Sequence, residues 1–342
     1  MTLNERKLNI LAAIVKNYIE TGEPVGSKML CMMEKLNLSS ATIRNEMSEL
    51  VELNLLEQPH TSAGRIPTPL GYRFYIEKLM KHYSLSEEDK KYIDSLLPSF
   101  VDDPHKLIDL AALALSELTH CTVISTTPAD KDGTIKKVEL FLLNRRTVMI
   151  ILITSSGIVK NKNSRSEVDL NAELLERFAK LVEDNLYGKL LSDFTAALVQ
   201  SLAVKAAELI MIFTPLIVTL YEVVREASEV DLTLKGELKL LEYREFSDGK
   251  AKELLEFLSQ RQSMMSMLSN NDRELAIYLG METGEKALAS SSLVVARYYR
   301  AEQNFGSIGV IGPNRMDYEH IIPSIEYFAK SIGRLLSETF SD

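Results

Sequence analysis

The segment LNLSSATIRNEMSELVELNLLEQ, residues 36–58, constrains the fold more tightly than any other stretch of the chain. Ser39 suits an N-cap, because its hydroxyl can accept from a free amide of the first helical turn. At about 100° per residue, Ile43, Met47, Leu50 and Val51 form one stripe, which predicts an amphipathic helix against a core. Ala41, Asn45 and Ser48 point away from that stripe, and Thr42 and Arg44 flank it. The outward start of the helix, opened by Ser39 and Ser40, is therefore small, polar and free of acid; Glu46, Glu49 and Glu52 come later. Two readings fit this helix alone. One is a recognition helix entering the major groove N-terminus first, with Asn45 suited to adenine, Arg44 to guanine or phosphate, and Ala41 to a thymine methyl. The other is a structural helix with a bland outer face.

The flanking residues favour the first. Leu8, Leu11, Ala12, Val15 and Ile19 share a helical face, and Thr2 with Glu5 has capping-box spacing, so a helix is predicted from about Leu3 to 21–22. A turn at Pro24-Val25-Gly26 leads to a short helix capped by Ser27 and running to about 36. After residue 52 come a predicted strand over 55–58, a Gly-containing loop and a short strand at 65–66, which Pro67 confines to an edge. Thr68 then caps a helix with Pro69 at its first position, carrying Tyr72, Tyr75, Ile76, Leu79 and Met80 at helical spacing. Three helices followed by a hairpin is the order of a winged helix-turn-helix. No acid occurs between Glu57 and Glu77, while His60, Arg65 and Arg73 supply donors and Thr61 and Ser62 hydroxyls. Gly64 would let the backbone approach a phosphate closely.

Charge is distributed to match. The 342 residues suit two or three domains, with a net charge of −9. That total argues against a nucleic-acid partner only while it is taken as an average. Residues 1–85 carry a net +1 and residues 86–342 a net −10. An acidic body would repel DNA everywhere except at the acid-free helix start and hairpin. Cys31 and Cys121 match no metal spacing, which favours a reducing compartment, and charge interrupts the N-terminus too often for a signal peptide. The longest uncharged apolar run, 209–221, is thirteen residues and too short for a membrane span. A soluble, cytoplasmic protein with no membrane partner is expected.

Residues 86–104 form a charged segment expected to be a linker after a short helix. DGTIKKVELFLL and TVMIILIT suggest strands joined at Asn144-Arg145-Arg146, and GIVKNKN a third. A helix over 169–186, strands at 276–279, 292–298 and 307–311, and a last helix over 318–340 complete an α+β pattern. Between them, residues 188–270 suggest an inserted helical block, with AALVQSLAVKAAELIMIFTPLIVTLYEVV apolar on more than one face and therefore buried or shared with a second subunit. Met264, Met265 and Met267 suit core filling better than an adaptable contact surface. No catalytic, metal or cofactor constellation is visible: the histidines at 60, 82, 105, 120 and 320 are scattered. Gly306, Gly309 and Gly312 lack dinucleotide-loop spacing and suit turns and a close-packed strand. Neither an enzyme nor a cofactor is expected.

SSATIRNEM, QPHTSAGRIPT and GYRFY, in this order and spacing, resemble the heat-inducible transcription repressor HrcA family of bacteria. GSIGVIGPNRMDYEHIIPSIEYFAKSIGRLL is similar to that family's closing strand and helix, and LTLKGELKLLEYREFSD matches more loosely. The resemblance implies a winged-helix DNA-binding domain (1–85), the linker (86–104) and a GAF-like α+β domain in two parts (105–187 and 271–342). A mainly helical dimerisation domain (188–270) would interrupt it. It further implies a homodimeric repressor of chaperone operons on an inverted-repeat operator of double-stranded DNA, supported by the chaperonin and inactivated by heat. Two other readings remain at this point: a regulator whose GAF-like domain binds a small-molecule effector, and an interaction protein whose winged helix binds protein.

Overall fold

The computed structural model describes residues 4–33, 38–60, 63–80, 84–97, 104–127, 133–247, 249–269, 273–300 and 303–340. Helix α1 (Glu5–Thr21) is capped by Asn4, whose side chain accepts from the Lys7 amide at 2.9 Å, and ends at Gly22 in the left-handed region (φ 67°). The expected cap at Thr2 lies outside the described residues. α1 buries Ile10, Leu11, Ile14 and Val15, a face turned from the expected stripe because the helix is held between α3 (Ser40–Glu52), the strand at 66–67 and the turn at 75–79. Helix α2 (Ser27–Cys31) starts from Gly26 rather than from a Ser27 cap; the Ser27 hydroxyl bonds to Ser40 Oγ at 3.1 Å instead.

In α3, Ser39 is the N-cap, accepting from the Thr42 amide at 3.1 Å. Ile43, Met47 and Leu50 are buried as expected and Val51 packs half-buried against the same core, but Glu46 also joins the inner face. Its carboxylate is matched by Lys7 at 3.2 Å and Arg6 at 3.5 Å, which makes burial tolerable. Strands β1 (Leu56–Glu57) and β2 (Ile66–Pro67) form an antiparallel ribbon, and Val25 bridges to Arg65 beside it. Helix α4 (Pro69–Phe74) is capped by Thr68 and continues through a wider π-type turn, Tyr75–Leu79.

The chain continues through α5 (Glu87–Leu96), α6 (Pro104–Thr119), β3 (Thr122–Thr127), β4 (Ile135–Asn144), β5 (Thr147–Thr154) and β6 (Val159–Arg165). Helices α7 (Ala172–Leu186), α8 (Ala196–Lys205) and α9 (Ile210–Ser228) precede β7 (Asp231–Lys235), α10 (Lys250–Ser259) and α11 (Arg261–Ser269). Strands β8 (Leu275–Leu279), β9 (Ser291–Arg300) and β10 (Gln303–Pro313) then lead into α12 (Tyr318–Phe340).

A five-stranded antiparallel sheet, ordered β7-β3-β10-β9-β8, is the centre of the body. Alternation along its strands sends Val123, Val294, Ala296 and Val310 toward α6 and α12. Ile124, Leu293, Val295 and Ile311 face the core that includes α10 and α11. Met264 is buried in that second core and Met267 packs against it, as core filling predicts. The segment expected as a linker is instead structured where it is described: α5 buries Ile93, and its Asp94 accepts from Tyr327 of α12 at 2.9 Å.

The inserted block also differs from expectation. A three-stranded sheet, β4-β5-β6, shares one core with α7, α8 and α9, including Val148, Ile150, Phe178, Val182, Leu216 and Leu220. This unit leaves the large sheet after β3 and returns at its neighbour β7, so it begins with β4 rather than at 188. α10 and α11, expected inside the block, pack on the large sheet instead. Strand periodicity shows that β4–β6 are half-buried, but not which core they serve. α9 with the turn before it, Ala207–Ser228, is long and apolar enough to cross a membrane. Here its Phe213, Leu216, Leu220 and Val223 belong to the core built on β4–β6.

Candidate nucleic-acid interface

The N-terminal end of α3 and the β1–β2 ribbon flank one concave surface. Ala41, Arg44, Asn45 and Ser48 are exposed on α3. Several hydroxyls beside them are occupied: Ser39 Oγ also bonds to Thr42 Oγ1 at 2.9 Å, Ser40 holds Ser27, and Ser48 donates back to the Arg44 carbonyl at 3.0 Å. Ser39, Ser40 and Thr42 thus fix the start of the helix, leaving Arg44 and Asn45 as its long free polar side chains. The acid expected to follow is partly neutralised. Lys7 bridges Glu46 and Glu49, and the hydrogen bonds it donates to Glu49 and then to Glu46 hold its ammonium pKa above the ordinary lysine value.

A groove of about 550 Å³ runs between α3 and the ribbon, lined by Arg44 and Arg65 together with Ser27, Lys28 and Gln58. Arg65 Nε is buried there and has no hydrogen-bond partner among the described residues. A buried donor without an acceptor is costly, which marks Arg65 as incompletely satisfied beside the groove it lines. Nothing local in the sequence marks Lys28 and Gln58 as groove residues. Lys28 belongs to α2 and Gln58 follows β1, and only the folding together of α2, α3 and the ribbon brings them to one groove. His60 is exposed in the loop, and Thr61 and Ser62 lie outside the described residues.

Two expected contacts are corrected. A Cβ on Gly64 would lie 2.5 Å from the Val25 carbonyl, so this glycine permits the ribbon to pack on the turn before α2 rather than a phosphate to approach. Arg73 is turned into the body: its Nε donates to Glu282 at 3.2 Å, and its guanidinium donates to the Ile277 carbonyl at 2.6 Å. Its charge is spent on a carboxylate across a seam, so it is not a free phosphate grip.

That seam is polar and extensive. Glu319 at the start of α12 accepts from the Tyr75 hydroxyl at 2.6 Å and pairs with Lys16 at 2.9 Å. Burial pushes the Glu319 carboxyl up, but Tyr75 and Lys16 outweigh it and hold the pKa below the ordinary value. Arg315 pairs with Glu245 and stacks over Tyr243, and Arg244 meets Glu23 at 2.7 Å.

Comparison with known proteins matches residues 105–322 to the HrcA protein C-terminal domain. The heat-inducible transcription repressor HrcA of Clostridium botulinum is 32% identical over 340 residues, covering 98% of this chain and 99% of its own. That of Lachnoclostridium phytofermentans is 34% identical over 332 residues, covering 95% of each. The chain belongs to the HrcA family of heat-inducible transcription repressors. The resemblance carried by the SSATIRNEM and QPHTSAGRIPT segments therefore holds over the whole length. A crystal structure of a hypothetical protein at 2.2 Å resolution shares the fold with a TM-score of 0.74 at 25% identity, covering 98% of this chain and 99% of that one. HrcA proteins are named for repression of transcription and not for catalysis. Among the described residues, no cluster of His, Cys, Asp or Glu is placed to hold a metal ion.

Proposed function

We propose that residues 1–85 form a winged helix-turn-helix in which α3 is the recognition helix and the β1–β2 ribbon the wing. Asn45, Arg44 and Ala41 meet base edges, while Arg65 and Lys28 hold the sugar–phosphate backbone. The observation that carries this reading is the groove that Arg65 lines together with Arg44 and Lys28, the Arg65 Nε having no hydrogen-bond partner among the described residues. In the same reading the five-stranded sheet with its helices is the GAF-like domain, and the β4–α9 unit inserted in it is the dimerisation domain. Val204 and Met211, exposed apolar residues of that unit, suit a subunit contact.

The dimer works in the cytoplasm, on an inverted repeat near chaperone operons. The chaperonin supports its DNA-competent form, and heat removes that support and derepresses the operon. A gel shift with the inverted repeat upstream of the same genome's chaperonin operon, with and without chaperonin, tests this directly. Retardation strengthened by chaperonin is expected. Footprinting should show two symmetric half-sites, and one asymmetric half-site would contradict the dimer.

A further inference from the structure

A cavity of about 540 Å³ lies at the seam, lined by Ile19 of α1, by α5, by the end of α6 and by the start of α12. This is within the size range of small-molecule sites, about 300–1,000 Å³. Ile19, Ile93, Met316 and Ile321 give it apolar walls. Two of its polar groups have capacity to spare. Ser324 is 5% exposed, lines the cavity and makes no hydrogen bond among the described residues. Asp89 uses only Oδ2 on Ser86; its other oxygen has no hydrogen bond among the described residues. Asp317 lies on the same wall and accepts from His320.

The charge balance sets the ligand's sign. The cavity's one arginine, Arg315, is already paired with Glu245. Asp317 is held by His320 at 2.6 Å, which leaves Asp89 as the lining carboxylate with no lysine, arginine or histidine bonded to it among the described residues. Hydrogen bonds from the Ser86 hydroxyl and amide hold the Asp89 carboxyl below its ordinary pKa, so it is ionised at neutral pH. Burial pushes the Cys121 thiol up to about 11, so the sulfur in the wall is neutral. Tyr243, beside it, already carries the Arg315 guanidinium over its ring. An anion would meet the Asp89 carboxylate and find, among the described lining residues, no lysine or arginine that is not already paired, only the imidazoles of His120 and His320. A neutral apolar molecule would leave the Asp89 carboxylate unmatched.

We propose that this cavity binds a small organic cation with an apolar body, such as an arylalkyl ammonium, its charge on Asp89 and its donor shared with Ser324. Ile19 and Leu85 come from the DNA-binding unit and the other walls from the body, so the bound molecule adds contacts across the seam. The inference goes beyond the DNA-binding reading and is tested without DNA.

The test is calorimetric titration of the full-length protein with tryptamine and, separately, with indole-3-acetate, which keeps the ring and reverses the charge. Tryptamine should bind saturably with one site per chain, and indole-3-acetate at least tenfold more weakly. Asp89→Asn should weaken tryptamine by about tenfold, the range of one charge-assisted hydrogen bond, and Ser324→Ala by several-fold. An unfolding midpoint for each variant shows whether the α5 cap survives. If Asp89→Asn unfolds, Asp317→Asn and Ser324→Ala carry the comparison. Equal binding of the two indoles, no saturable binding of tryptamine at millimolar concentration, or undiminished affinity in the folded variants would overturn the proposal.

Discussion

Arg65 and Arg73 lie eight positions apart in one acid-free stretch, yet their surroundings give them different jobs. Arg65 lines the groove beside α3 and keeps a buried donor without a partner among the described residues, whereas Arg73 spends its guanidinium on Glu282 and the Ile277 carbonyl. Sequence shows that both are basic; it cannot show which finds an acid two hundred residues away. Arg65→Ala should weaken specific and random DNA alike and lower the salt slope by about one, measured by titration at several salt concentrations. Arg73→Ala should leave that slope unchanged and destabilise the chain by about 1–3 kcal/mol, because Glu282 loses a charge-assisted partner. A reduced slope for Arg73→Ala, in denaturant-matched native protein, would return it to the DNA surface.

Elements follow from local pattern where one face meets one core, and depart from it where two surfaces compete. α3 was legible because its cap, inner stripe and outer face are all local: Ser39, Ile43, Met47 and Leu50 sit as their spacing predicts. Glu46 was not, since only Arg6 and Lys7 from α1 make a carboxylate acceptable on that face. The inserted unit was misplaced for a related reason. Hydrophobic alternation in β4–β6 gives the period of a strand but not the identity of its partner sheet. Gly64→Ala tests the packing of the wing: with a Cβ 2.5 Å from the Val25 carbonyl, the ribbon must shift. The expected result is a lower unfolding midpoint together with weaker DNA binding. Ser39→Ala should cost about 1 kcal/mol of stability through the lost cap, measured by denaturant unfolding.

At the scale of the whole molecule, a near-neutral N-terminal unit shares one apolar core with an acidic body, Tyr72 lying 6.0 Å from Tyr318, and ion pairs rim that contact. The Lys16–Glu319–Tyr75 cluster makes part of that rim sensitive to acid. The folded Glu319 pKa lies below its ordinary value, so the stabilisation is present above that value and lost as pH falls through the folded one. Glu319→Gln should therefore flatten the acid limb of a stability-against-pH curve and leave a less stable protein near neutrality. The net −10 of residues 86–342 adds a second expectation, that DNA binding is narrow and strongly salt-dependent. The central claim is that α3 reads bases while the groove cations hold the backbone. Comparing Asn45→Ala with the unmodified protein on operator and on random duplex at one salt concentration tests it most directly. A loss of about 1–3 kcal/mol confined to the operator, traced to one base pair in each half-site, is predicted; an equal loss on both duplexes would contradict it.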